Sequence, residues 1–148
     1  MTEPLQDVIV IVEDDPDDRH FLARAFKKLG SGIPLRFATD GDEAVALLSE
    51  VLSSADTRIR PIVILLDLKL PRRSGFEVLS WVKAQPALRR IPVVILTSSR
   101  EQMDLKQAYD LGANSFLVKP SQPQALHVLV EQVNAYWLGH NEVAPIAL

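Results

Sequence analysis

The 148-residue sequence contains no cysteine. That absence excludes a disulfide scaffold, a thiolate zinc or iron–sulfur site and a cysteine nucleophile, so nothing in the chain demands an oxidising compartment. Internal repeats, collagen-like spacing and disordered composition are missing too. No uncharged apolar run approaches the roughly 18–20 residues that cross a bilayer. The start, Met1-Thr2-Glu3-Pro4-Leu5-Gln6-Asp7, is polar and acidic, unlike the basic and then apolar opening of a secretory signal. A large excess of one charge is also lacking: 16 Lys+Arg face 19 Asp+Glu, a net −3, which argues against a bulk nucleic-acid binder. What remains is 47% hydrophobic, in a length suited to one domain with a genuine core. The expectation is a cytoplasmic protein that neither enters a membrane nor grips nucleic acid.

Five short apolar runs recur, at Val8–Val12, Leu35–Ala38, Ile62–Leu66, Val93–Leu96 and Ser115–Val118. Most are continuous rather than alternating, as strands covered on both faces are. Helical patterns with readable ends lie between them. Asp15-Pro16 caps and opens a helix that Gly30 stops, with Phe21, Leu22, Ala25, Phe26 and Leu29 at three–four spacing. Asp40/Glu43, Ser99/Gln102 and Ser121/Gln124 read as capping pairs for three more helices, and Ser74-Gly75 starts another. The last helix is expected to reach about Trp137. Strands alternating with helices predict an α/β fold: a flavodoxin-like, doubly wound, five-stranded parallel sheet in the order 2-1-3-4-5. Residues 53–61 read as a polar loop, and 139–148 as a tail.

In that topology the carboxyl ends of the strands meet at one edge. The first strand runs into Glu13-Asp14, the third into Asp67, the fourth into Thr97 and the fifth into Lys119-Pro120. Carboxylates crowded in a crevice repel one another and call for a cation; Mg²⁺, with its preference for oxygen ligands, is the natural one. Taken alone, Glu13-Asp14 also fits a solvated acidic turn that continues through Asp15, Asp17 and Asp18. Asp67 is harder to dismiss, because a buried strand rarely ends in a carboxylate for packing reasons. A carboxylate can accept a phosphoryl group, whose charge then needs a metal and a fixed cation such as Lys119.

These residues, Val-Glu13-Asp14-Asp15, Leu-Leu-Asp67-Leu-Lys-Leu-Pro71 with Gly75, Leu-Thr97-Ser98 and Val-Lys119-Pro120, resemble the receiver domain of two-component response regulators. The resemblance covers residues 8 to about 138. It implies that Asp67 accepts phosphate from a sensor histidine kinase. Asp14 and Asp67 would bind Mg²⁺, or Mn²⁺, with Glu13 reaching it through water and the main-chain carbonyl of Lys69 as a further ligand. Lys119 would pair with the phosphoryl group, oriented by a cis Lys119–Pro120 bond, and Thr97 and Phe116 would be switch residues acting on the face of the fourth helix, fifth strand and fifth helix. Phe116 also fits an ordinary core aromatic. Glu13 stands where aspartate is more frequent in the family.

The resemblance divides the chain into a receiver, 1–138, and a tail, 139–148, with no output domain and no turnover beyond the chain's own aspartyl phosphate. Output then means binding an unknown downstream protein or passing the phosphoryl group on. The loops and the Tyr136-Trp137-Leu138 ending look most like single-domain regulators partnered with bacterial phytochromes. That implies a homodimer through the last helix and an apolar tail carrying Val143, Ile146 and Leu148. Trp137 also fits a residue that closes its own core.

Three alternatives belong to other classes. A haloacid-dehalogenase-like phosphatase would need a second Asp where Lys69 stands. A flavodoxin would need a Ser/Thr-Gly-rich phosphate loop where Glu13-Asp14-Asp15 stands. A phosphate-independent adapter would be expected to have lost part of the set. Charge is also segregated: Glu3, Asp7, Glu13, Asp14, Asp15, Asp17 and Asp18 crowd the start, while Arg58, Arg60, Lys69, Arg72, Arg73, Lys83, Arg89 and Arg90 crowd the middle. The basic loop beside Asp67 is a candidate dock for an acidic kinase surface.

Overall fold

The computed structural model describes residues 5–53 and 59–145. Five strands, β1 (Gln6–Val12), β2 (Leu35–Ala38), β3 (Ile59–Leu66), β4 (Val93–Thr97) and β5 (Ser115–Val118), form one parallel sheet in the order β2-β1-β3-β4-β5. The helices are α1 (Pro16–Leu29), α2 (Gly41–Ser53), α3 (Gly75–Ala84), α4 (Gln102–Asp110) and α5 (Pro123–Val133), followed by a π-helical segment, Asn134–His140. This is the flavodoxin-like arrangement expected from the sequence.

The sheet is buried on both faces because its central strands carry continuous apolar runs, Val8–Val12, Ile62–Leu66 and Val93–Leu96. Val8, Val10, Val12, Ile64 and Leu66 join a core with α2, α3 and α4 residues, while Ile9, Ile11, Val63 and Leu65 join another with α1 and α5. Each such side chain contributes about 1.5–3 kcal/mol when fully removed from water. Trp81 packs against the first core; Trp137, Leu138 and Val143 pack against the second.

Several boundaries differ from expectation, each for a local reason. Part of the 53–61 loop is strand: Ile59 and Arg60 pair with Gln6 and Asp7, and the Arg60 Nε donates to the Asp7 Oδ1 at 2.7 Å. That cross-strand ion pair extends β1 and β3 to polar residues that hydrophobicity alone leaves out. The register shifts beside Pro61, which has no N–H to give the ladder. Residues 54–58 lie outside the described residues, as do Ile146 and Leu148 of the expected apolar tail and Arg58 and Glu3 of the charge clusters.

The caps divide in the same way. Asp15 Oδ1 accepts from the N–H of Asp17 (2.8 Å) and Asp18 (3.3 Å), Asp40 Oδ1 from Glu43 N–H (2.7 Å), and Ser74 Oγ from Glu77 N–H (3.2 Å). Gly30, at φ 65°, ends α1 as expected. Ser99 does not cap α4. Its hydroxyl donates to Asp104 Oδ2 at 2.6 Å, and Glu101 occupies the cap without a side-chain bond. Ser121 does not cap α5 either; the helix opens on Pro123 with Gln122 at the cap, and it gives way to π-helix after Val133.

Candidate functional site

Because every strand of a parallel sheet points the same way, the residues that follow β1, β3 and β5 and the last residue of β4 come together. Glu13 and Asp67 are 2% and 7% exposed, and Thr97 is fully buried. One carboxylate oxygen from each of Glu13, Asp14 and Asp67 lies within 4.8 Å of the others. A cleft of about 460 Å³ opens over them, lined also by Asp18, Lys69, Ser98 and Lys119.

Lys119 is the cation of this cleft. Its Nζ donates to Glu13 Oε1 at 2.6 Å, Asp18 Oδ2 at 2.9 Å and Asp67 Oδ2 at 3.2 Å. Burial works against its charge, but the hydrogen bonds to Asp18 and Glu13 and the charge of Asp67 more than offset this and raise its pKa, so the ammonium stays protonated. Glu13 goes the other way. Burial raises its pKa to about 7, with the charge of Asp67 adding to the rise and the bond from Lys119 opposing it. A buried acid with a raised pKa beside two further carboxylates is a donor set short of positive charge. All its donors are oxygens, which fits a hard divalent cation such as Mg²⁺ or Mn²⁺.

The backbone around these acids is braced. Arg19, in the first turn of α1, donates through one nitrogen to the carbonyls of Glu13 (3.0 Å) and Asp14 (2.8 Å). Asp67 N–H donates to the carbonyl of Val12 at 3.1 Å, and Lys69 N–H to Asp67 Oδ1 at 3.3 Å. Gly75 lets α3 start against this loop: a Cβ there would stand 2.1 Å from the Asp67 carbonyl oxygen. On the loop's other side, Arg72 takes a left-handed φ of 67°. Its Nε lies 3.5 Å from Asp40 Oδ2, and the Arg73 Nε lies 3.3 Å from Asp42 Oδ1. Two arginines of the basic loop thus reach the start of α2, with the Arg72 side chain still 70% exposed.

Thr97 Oγ1 accepts the N–H of Ser99 at 3.4 Å. Phe116 pairs with Ile95 and is half-buried against the α2–α4 core, so it and Thr97 share one side of the sheet on neighbouring strands. The expected cis bond is not found: among the described residues every peptide bond is trans, Lys119–Pro120 included. Trans is favoured by about 0.5–1 kcal/mol before proline, and Lys119 reaches all three of its carboxylates with the bond in that form.

Asp18 also belongs to the site, although in sequence it is one acid of the acidic turn. A signal for it existed. Asp18, Leu22, Ala25 and Phe26 follow i, i+4, i+7, i+8, and the last three are buried, so Asp18 extends the inward stripe of α1.

Known proteins are similar to this chain. "Probable methanogenesis regulatory protein FilR2" of Methanothrix harundinacea is 40% identical over 134 residues, 90% of this chain and 85% of that one. Response regulator Rcp1 of Synechocystis is 36% identical over 88% of each chain, and its Mn²⁺-bound crystal structure superposes with a TM-score of 0.85, covering 93% of this chain and 99% of that one. The phosphorylated cyanobacterial phytochrome response regulator RcpA superposes with a TM-score of 0.86 at 32% identity, covering 95% and 99%. Residues 9–131, from within β1 to within α5, match the response regulator receiver domain. With that match reaching all five strands and all four strand ends, the chain belongs to the response regulator receiver domain family.

Proposed function

We propose that this chain works in the cytoplasm as a stand-alone response regulator whose Asp67 accepts a phosphoryl group from the phosphohistidine of a sensor kinase, a phytochrome. The observation that carries this reading is the near-buried Asp67 carboxylate, held 3.2 Å from the Lys119 ammonium and clustered with Glu13 and Asp14 beneath an open cleft. The phytochrome partner is supported by the likeness to RcpA, whose own description names it a phytochrome response regulator.

The chemistry is a phosphoryl transfer. An Asp67 carboxylate oxygen forms the new O–P bond as the P–N bond to the kinase imidazole breaks, and the imidazole leaves with that electron pair. Asp14, Asp67, the Lys69 carbonyl and, through water, Glu13 would hold Mg²⁺ or Mn²⁺, which supplies positive charge against the phosphoryl oxygens. Lys119 pairs with another of those oxygens. The added 1.5–2 negative charges draw the Thr97 hydroxyl toward the phosphoryl group. Phe116 then turns into the space that Thr97 leaves, shifting the population of the α4-β5-α5 face that a downstream protein reads.

The receiver fills residues 1–138, and the last helix and tail, 139–148, hold a homodimer. Exposed Tyr136, stacked edge-to-face on Trp137 at 4.8 Å, supports that surface. The acceptor is tested by incubating the protein with acetyl phosphate and Mg²⁺. The native chain gains an acid-stable, base-labile acyl phosphate, and Asp67→Asn gains none; label on D67N removes Asp67 from the role. Catalytic release of phosphate without a labelled protein would point to a phosphatase instead.

A further inference from the structure

The Lys119 ammonium has three protons and three carboxylate acceptors, and these acceptors are not equivalent. Glu13 and Asp67 belong to the cluster with Asp14, whose oxygens lie within 4.8 Å of one another. Asp67 is also the acceptor, and its oxygen carries the phosphoryl group after transfer. Asp18 has neither task. It stands in the first turn of α1, its own N–H tied to Asp15 Oδ1, and its side chain, 30% exposed, reaches across to Nζ at 2.9 Å. We infer that Asp18 is a positioning residue: it holds the Lys119 ammonium over Asp67 while the other two carboxylates are engaged elsewhere. The inference rests on the reading of Asp67 and Lys119 given above.

Two opposed effects follow from an anion at that place. As a charge, Asp18 reduces the positive potential offered to a phosphodonor, so its removal should strengthen donor binding. As a tether, it keeps a long, flexible stem from exploring other rotamers, so its removal should slow transfer. The geometry favours the tether. Asp18 and Asp67 touch the same nitrogen at once, so Asp18 does not draw the ammonium away from the acceptor.

The test compares Asp18→Asn, which loses the charge but keeps an acceptor oxygen at the same reach, with Asp18→Ala and Asp18→Ser, which cannot reach Nζ. Phosphorylation by phosphoramidate with Mg²⁺ is resolved into a rate constant at saturating donor and a half-saturating concentration. D18A and D18S should lower the rate constant about five- to twentyfold, the loss expected for a partly exposed charge-assisted hydrogen bond. D18N should stay within about threefold of native, and the half-saturating donor should not rise in any of them. Mg²⁺ affinity by calorimetry should change less than about threefold, since Asp18 is outside the carboxylate cluster.

A native rate constant in cooperatively folded D18A or D18S overturns the inference, and so does a loss in D18N as large as in D18A, which would assign the effect to charge. Failure of the native protein itself to take phosphate would overturn the acceptor reading instead, a distinct result.

Discussion

At the scale of single residues, two lysines show how surroundings decide what an ammonium does. Lys119 meets three carboxylates. Lys83, on α3, meets none within salt-bridge reach among the described residues: its Nζ donates to the carbonyls of Arg89 and Ile91 and to Asn114 Oδ1, each at 3.1 Å. Asn114 Oδ1 also accepts the N–H of Val93, the first residue of β4. Lys83 is therefore a peg joining α3, the approach to β4 and the approach to β5. Lys83→Met should destabilise the protein by about 1 kcal/mol, because it removes the donor shared by three acceptors, of which the Ile91 carbonyl is the least exposed, and chemical denaturation would measure it. Burial lowers the pKa of Lys83 in the folded chain. Between that lowered value and the ordinary lysine value the unfolded chain binds more protons, so this residue makes stability rise with pH across that alkaline window. Denaturation curves for K83M should lose that rise; a slope equal to that of the native protein would mean that Lys83 is not its source.

The residue scale is also where the sequence was least transparent. Glu13, Asp14, Asp67, Thr97 and Lys119 could be picked out because each interrupts or ends an apolar run, a contrast visible in one dimension. Asp18 sits among Asp14, Asp15 and Asp17, where one more acid carries no contrast. Only the helical phase of α1 separates it from its neighbours.

At the scale of elements, the loop from β3 to α3 is held from both sides, and its tolerance for added atoms is small. Gly75 touches the Asp67 backbone so closely that a methyl group cannot fit without displacing it. Gly41, at the start of α2, meets the Arg73 carbonyl with a Cβ distance of 1.9 Å. Gly75→Ala should cost roughly 1–3 kcal/mol as an overpacked site and weaken Mg²⁺ binding, since the displaced atoms belong to Asp67 and Leu68. Thermal melting and Mg²⁺ titration would check both, and an unchanged Mg²⁺ affinity would mean that the loop yields away from the acceptor. Elements whose limits come from their own residues were legible: β2 and β5, and the caps Asp15, Asp40 and Ser74. The ends of β1 and β3 were not, because they depend on Asp7 meeting Arg60, residues 53 positions apart. Nor were the caps at Ser99 and Ser121. A serine three residues before a glutamine satisfies the pattern, but Asp104 offers Ser99 a stronger acceptor.

At the scale of the whole molecule, the end of the chain serves two masters. Trp137, Leu138 and Val143 pack on the α1–α5 side of the core, while Tyr136 is 52% exposed and borders a groove of about 390 Å³ lined by Leu117, Leu129 and Gln132. Trp137 therefore packs on its own core, and the proposed homodimer would have exposed Tyr136 to draw on. A chain ending after Leu138 should scatter light as a single copy where the full chain scatters as two. An unchanged mass would rule the tail out as the dimer's clasp. Among the described residues no helix is long and apolar enough to cross a membrane.

The grip of Arg19 on the carbonyls of Glu13 and Asp14 joins the scales. A guanidinium is rigid and planar, and here it binds main-chain atoms, which move only with the turn itself. Helix α1 and the acidic turn consequently behave as one lever with a short arm. An Arg19 substitution would loosen that brace without touching a single carboxylate, leaving the Asp15 cap to join the turn to α1.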